Sequence, residues 1–231
     1  MKKRLSEILD RYERVVSQVD AIYESTRQQF PDCVTCKISC SDCCYALFDL
    51  SLVEAYYINE KFSSSLPEAT KATILDAADR IDRDVYRLKR KAFKAVAAGE
   101  KTEDQVLFEM AAERLRCPLL NSDDQCYLYA DRPITCRLYG IPTSIGGKGH
   151  TCGKSEFQEG VPYPTVNLDA VQNKLHELSA DMVRLLNSSH QEMDRILMPV
   201  SMAVLTVFDD TYLGIRPDSA SCTETGQEAL R

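Results

Sequence analysis

Between Cys33 and Cys44 the chain reads CVTCKISCSDCC, five cysteines in twelve residues. A single cysteine serves as a small buried hydrophobe, but packing gives no reason for five thiols at this density. Either they share a ligand or they oxidise to disulfides, and the compartment decides between the two. The N-terminal stretch MKKRLSEILDRYERV begins with basic residues, as a signal peptide does, yet Glu7, Asp10, Arg11, Glu13 and Arg14 interrupt any apolar h-region. The expectation is a reducing, cytoplasmic setting. There, thiolates at C-x2-C spacing read as metal ligands, because a tight turn aims two sulfurs at one ion.

Such a site needs a second set of thiols. Cys117, Cys126, Cys136 and Cys152 are separated by eight, nine and fifteen residues rich in Pro, Gly, Asp and Asn, a composition of loops and short strands. Nine of the ten cysteines thus fall in two blocks, with none between Cys44 and Cys117. The layout predicts two half-sites converging on one region, with Cys33, Cys36, Cys40, Cys43, Cys44, Cys117, Cys126, Cys136 and Cys152 as the metal candidates. A complete disulfide set would strand one of nine thiols, whereas two four-coordinate sites or one cluster leave one spare without difficulty. Adjacent side chains point apart in extended backbone, so Cys43 and Cys44 need not serve the same metal.

The first block, followed by CPLL, CYLYADRPITCRLYG and a later HTC, resembles the CxxCxxCC zinc- or iron-chelating family, also called YkgJ-type cysteine cluster proteins. The resemblance covers roughly residues 33 to 155. It implies that Cys40, Cys43 and Cys44 take the last three positions of the first motif and Cys117, Cys126 and Cys136 those of the second, with Arg132, Pro133 and Arg137 matching its RP and CR elements. The short motif has two residues between its second and third cysteines, whereas Lys37, Ile38 and Ser39 intervene here. The first ligand is accordingly Cys33 or Cys36, and the other is the spare thiol. The family name leaves the metal open. A resemblance to the cysteine cluster of flagellin lysine methylases adds an enzymatic alternative.

Four thiolates suit both tetrahedral zinc and an iron–sulfur cluster, 4Fe-4S among them. Zinc sites often mix cysteine with histidine, and His150 is the one imidazole near either block, which tilts the reading toward iron–sulfur. Arg132 and Arg137 are positioned in sequence to offset the charge of a tetrathiolate and to donate toward sulfur. The bland reading of Arg132 is a cap on the Asp-Arg-Pro turn. Three functions compete: a metalloprotein with a redox or structural role, an iron–sulfur enzyme modifying a protein side chain, and a zinc or iron store or delivery protein. No cosubstrate fingerprint supports the second, and the interleaved Tyr127, Tyr129 and Tyr139 suggest sites too rigid for the third.

The net charge of −7 argues against nucleic acid or an anionic membrane as the main partner, and the basic run Arg87, Lys89, Arg90, Lys91, Lys94 reads as a solvated helix face. Leu5, Ile8, Tyr12, Val15, Val19 and Ile22 alternate at spacings of three and four, as do Leu168, Val171, Leu175, Leu178, Met182 and Leu185 behind Asn167 as an N-cap. Two such seams predict helices that pack on each other, or a homodimer or protein partner joined through them. Capping-box spacings at Ser51/Glu54, Ser65/Glu68 and Thr102/Gln105 predict three further helices. The second runs through Leu75, Ala78, Ile81, Val85, Leu88, Ala92 and Val96 to Gly99, and the third carries Val106, Leu107, Met110 and Leu115 up to Cys117.

Residues 117 to 165 hold most of the turn-forming residues and few apolar ones, so their order is expected to depend on metal–thiolate bonds. The stretch GGKGHTCGKS has neither phosphate-loop nor dinucleotide spacing, and its glycines read as turn residues that bring Cys152 to the metal. The apolar run Ile196 to Phe208, too short to span a bilayer, reads as a buried helix with Pro199 in its first turn. From Pro217 onward the sequence is polar and patternless, so Cys222 is left out of the site. The expected fold is mainly α: a helical domain wrapped around a Cys-rich, loop-dominated metal centre, with N- and C-terminal amphipathic helices packing together. One domain over residues 1–216 would comprise an N-terminal helix at 1–30, a cysteine core at 33–155 and C-terminal helices at 167–210, followed by a flexible tail at 217–231.

Overall fold

The computed structural model describes residues 2–38 and 40–215, so the expected tail and Cys222 lie outside the described residues. Seven α-helices and five short strands are found there. Helix α1 (Lys2–Gln29) is followed by β1 (Asp49–Ser51), α2 (Leu52–Ser65), α3 (Glu68–Ala97), α4 (Glu103–Ala112) and α5 (Ile134–Leu138). After these come β2 (Thr143–Ile145), β3 (Lys148–His150), β4 (Val166–Asn167), α6 (Leu168–Leu185), β5 (Leu197–Pro199) and α7 (Val200–Leu205). The protein is mainly helical, as its periodicities predict.

Helix α2 is the centre of the core. Residues 52 to 58 are all buried, a pattern open only to a helix covered on every side, and α1, α6 and α7 pack around it. The Ser51/Glu54 capping box at its start forms as expected. Helices α1 and α6 also pack on each other, burying Leu5, Ile8, Tyr12 and Val19 on one side and Leu175, Leu178 and Met182 on the other. Arg11 and Asp181 close the seam with a 2.6 Å ion pair. The α1 seam departs from its predicted course at Ile22, which is 43% exposed. Beyond Val19 the helix leaves α6 for the cysteine region, and half-buried Tyr23 and buried Thr26 carry the inward face instead.

Other expectations are corrected in detail. Ser65 ends α2 and does not cap α3. The cap position is Pro67, whose fixed φ and missing N–H suit a helix start. The inward face of α3 is Ile74, Ala78 and Val85, while Leu75 points largely to solvent. Gly99, at φ +69, stops this helix in the left-handed region. Thr102 and Gln105 form their capping box, but α4 ends at Ala112, short of Leu115.

The run Ile196 to Phe208 is not one helix. Its first part is β5, which pairs antiparallel with β1 so that Leu50 and Met198 face each other in the core. Pro199 then caps the short α7. The 117–165 segment also contributes more to the core than its turn residues suggest. Leu119, Leu120, Leu128, Ile134, Leu138 and Ile141 are each at most 6% exposed. Two of its glycines are turn residues: Gly146 and Gly147, both at positive φ, make the two-residue turn of the β2–β3 hairpin. Strand β4 pairs parallel to β2 and leads into α6, capped by Asn167, whose side chain accepts from the Ala170 amide at 3.1 Å.

Candidate metal centre

The first cysteine block begins in the turn that closes α1, where the Cys33 amide donates to the Phe30 carbonyl at 3.1 Å. Its first residues are tied to the chain just beyond the second block. The Cys33 carbonyl accepts from the Glu156 amide at 3.0 Å, and the Thr35 hydroxyl donates to the Lys154 carbonyl at 2.6 Å. Cys43 and Cys44 sit in one 3₁₀ turn, Asp42–Tyr45. The turn crosses the start of the second block directly, since the Cys117 amide donates to the Cys44 carbonyl at 2.6 Å and the Leu115 amide to the Tyr45 carbonyl at 3.1 Å.

Each remaining thiol has its own support. Asn121 Oδ1 accepts from the amides of Asp123 and Gln125, at 2.9 and 2.8 Å, and this turn returns the chain so that Cys126 lies opposite Leu120. Cys136 is carried by α5, a helix the turn-rich sequence gave no sign of. Pro133 occupies its cap position, and its first amide, that of Ile134, donates to the buried Glu54 carboxylate at 3.2 Å. Cys152 follows the β2–β3 hairpin.

Seven cysteines line one cavity of about 60 Å³: Cys36, Cys40, Cys43, Cys44, Cys126, Cys136 and Cys152. The half-buried Cys117 interacts electrostatically with Cys43 and Cys126. Cys33 and the exposed His150 are not among the residues lining it. All nine cysteines of the described residues are free thiols. Among those residues no group of three or more His, Cys, Asp or Glu side chains is already arranged to hold a metal ion; the thiols surround a common space without closing on a single point.

The polarity of the thiols is uneven. Cys43 is held well below the usual thiol range because the thiols of Cys136 and Cys44 donate to it, with Arg132 adding a favourable charge. Those same hydrogen bonds, followed by burial, push Cys44 and Cys136 up. Burial raises Cys117 to about 12 and also raises Cys36, Cys126 and Cys152. Cys43 is thus the acceptor shared by two neighbouring thiols.

Arg132 and Arg137 both border the cavity, but their guanidinium groups are engaged elsewhere. Arg132 stacks over the Tyr129 ring at 4.3 Å and donates to the Tyr129 carbonyl at 2.9 Å, the turn-capping role that its sequence context also allowed. Arg137, 4% exposed, pairs with Asp20 at 2.6 Å and donates to the Arg132 carbonyl at 2.8 Å. It fixes the loop in front of α5 to α1.

Three residues at the site escaped the sequence reading. Tyr23 of α1 shares a hydrogen bond with Cys36, and burial, followed by the neighbouring Cys36 thiol, raises its phenol. Asp42 lies 3.6 Å from Cys152 Sγ and pairs with Arg114 at 2.8 Å. Gly140 faces Cys36 so closely that a Cβ there would stand 2.2 Å from the Cys36 sulfur. Asp42 could have been suspected from its place inside the first block. Nothing local marks Tyr23, more than a dozen residues upstream.

A cavity lined by seven thiols, with only two carboxylates beside it, Asp42 and Asp124, and no imidazole, is a donor set for thiophilic metals, zinc or iron, and a poor one for magnesium or calcium. Fold and site together define a mainly helical protein in which two distant cysteine blocks meet around one thiol-lined space. Residues 33–153, more than half of the chain, match the CxxCxxCC family, described as a "putative zinc- or iron-chelating domain", and the chain belongs to that family. No curated protein and no solved structure matches it. No helix of the described residues is long and apolar enough to cross a membrane.

Proposed function

We propose that this chain is a cysteine-ligated metalloprotein that holds an iron–sulfur cluster, in preference to zinc, and serves a redox or structural role in a reducing cytoplasm. The observation that carries this reading is the backbone bond from Cys117 to Cys44, which brings both blocks to one cavity lined by seven cysteines. Cys43, Cys44, Cys117, Cys126 and Cys136 form the mutually interacting set from which the principal ligands are drawn. Cys36, Cys40 and Cys152 face the same cavity, and Cys33 is the spare thiol. Thiol side chains turn about a single χ1 bond, so ligation needs rotamer changes at these positions and no new backbone path. A bound iron–sulfur cluster would supply one-electron transfer, whereas zinc would supply a cross-link.

One feature favours iron–sulfur: no histidine borders the cavity. Arg132 beside it would offset the negative charge of a tetrathiolate around either metal. The half-buried, desolvated thiols of Cys117 and Cys136 suit a resident centre better than a labile store. The deciding experiment is anaerobic purification followed by metal analysis and an absorption spectrum. A brown protein with a broad visible band and matching iron and sulfide is expected. A colourless protein with stoichiometric zinc would overturn the iron–sulfur assignment, and one that takes up neither metal would overturn the metalloprotein reading.

A further inference from the structure

The distal half of α3 and all of α4 stand apart from the core. After Val85, no residue of α3 is buried through Ala97, and Val106 is the one buried residue of α4. The two helices form a hairpin around Gly99, with an open groove of about 670 Å³ between them. Outside that groove, large apolar side chains stand exposed on both helices: Tyr86 and Phe93 on α3 are 61% and 74% exposed, and Leu107 and Phe108 on α4 are 65% and 78% exposed. Tyr86 and Phe93 are one heptad apart and share a helix face. Exposed aromatics grouped in this way mark an interaction surface.

Charge on the hairpin is divided by helix. Residues 86–98 carry five basic side chains and no acidic one, and residues 99–113 carry five acidic side chains and one lysine. Lys101 is paired with Glu109, Arg87 with Asp84 and Lys89 with Asp49. Arg90, Lys91 and Lys94 have no carboxylate partner among the described residues, nor have Glu100, Glu103, Asp104 and Glu113 a cationic one. A lone acidic ligand would satisfy the first helix and repel the second. A second copy of the same hairpin, related by a two-fold axis, sets the basic α3 of each against the acidic α4 of the other and packs Tyr86 and Phe93 near Leu107 and Phe108.

We infer that the α3–α4 hairpin is a homodimer interface, in which two hairpins form an antiparallel four-helix arrangement. The seams of α1 and α6 are already spent on each other, so this surface differs from the amphipathic faces of those helices. Its charged part makes association weaken with salt.

Sedimentation velocity on the full chain over a micromolar dilution series tests this. The parent should pass from monomer to dimer, and the dissociation constant should rise at least tenfold in Phe93→Ser/Phe108→Ser. Reversing one helix by Arg90→Glu/Lys91→Glu/Lys94→Glu should abolish the dimer. Adding Glu103→Lys/Asp104→Lys/Glu113→Lys to the same chain should restore it, with the circular dichroism of every variant matching the parent, so that loss and rescue report association and not unfolding. A parent monomeric across the series, a dimer indifferent to Phe93 and Phe108, or a charge reversal without rescue would each sink the proposal. Metal content, read on the same samples, is expected to stay at the parent level and keeps this test separate from that of the metal centre.

Discussion

Glu54 Oε1 accepts the Ile134 amide at 3.2 Å, so one buried carboxylate joins the start of α2 to the start of α5, two residues before Cys136. Its other oxygen accepts from the amide and the hydroxyl of Ser51, at 3.3 and 3.1 Å. Three donors converge on a side chain that is 2% exposed. Leaving buried donors unmatched costs about 1 to 3 kcal/mol each, with incomplete additivity. Glu54→Ala should therefore destabilise the protein by about 2 to 5 kcal/mol in chemical denaturation. A loss within the ordinary range of a surface substitution would show that Glu54 does not link these helices.

The same carboxylate should leave a pH signature. Burial pushes the Glu54 carboxyl up, against the opposing pull of the Ile134 and Ser51 donors. A raised folded-state value means that the folded protein binds the proton more tightly than the unfolded chain, whose value is about 4.3. The associated stabilisation is fully present below that unfolded value and is lost as pH rises through the folded one. Glu54→Gln lacks this titration. The melting temperature of the parent minus that of Glu54→Gln should thus increase on acidification from neutral pH toward about 4.5, acid effects common to both cancelling in the difference. A difference that stays flat, or falls, would contradict the assignment.

Gly140 and Cys36 should behave as a coupled pair. A Cβ at position 140 would meet the Cys36 sulfur at 2.2 Å and its Cβ at 3.3 Å. Gly140→Ala forces the thiol out of the cavity at a cost of about 1 to 3 kcal/mol, typical of overpacking. Cys36→Ala removes the shorter contact. The double variant should recover most of the stability lost in Gly140→Ala, a coupling readable in a double-mutant cycle. Strict additivity of the two changes would mean that the contact carries no energy.

Helices were legible in this sequence wherever an apolar face repeats over several turns, as in the α1 and α6 seams, because 3.6-residue periodicity is a local signal. Tertiary pairing is not local. Strand β1 is three residues long and exists because β5 pairs with it, and neither segment carries alternation enough to be seen alone. Helix α5 was hidden for a similar reason, its first amide being satisfied by Glu54, eighty positions upstream. The cysteine spacings pointed to one converging region, but not to Tyr23 or Gly140, which touch Cys36 only once α1 and the chain after α5 are packed.

Metal binding should set the order of part of the second block and leave the rest folded. Residues 134 to 141 are anchored without metal by Ile134, Leu138 and Ile141, each at most 2% exposed, and by Glu54 and Arg137. The turn at 121–126 rests on Asn121, Arg116 and one isolated bridge, and its residues 122–125 are exposed. Ordering each backbone residue costs about 1 to 2 kcal/mol, and residues 121–125 bury no apolar side chain to offset it. In the proposed centre, ligation by Cys117, Cys126 and Cys136 would close the chain on both sides of Cys126 and supply the difference. Cys136→Ser should lower the metal content and speed hydrogen exchange and proteolysis at 121–131, while amides at 134–141 and throughout α2 remain slow. Acid should do the same to the parent, since thiolates are the binding form and reprotonation releases the metal. If Cys136→Ser lost its metal and the 121–131 amides still exchanged as slowly as in the parent, the coupling between ligation and loop order would be wrong.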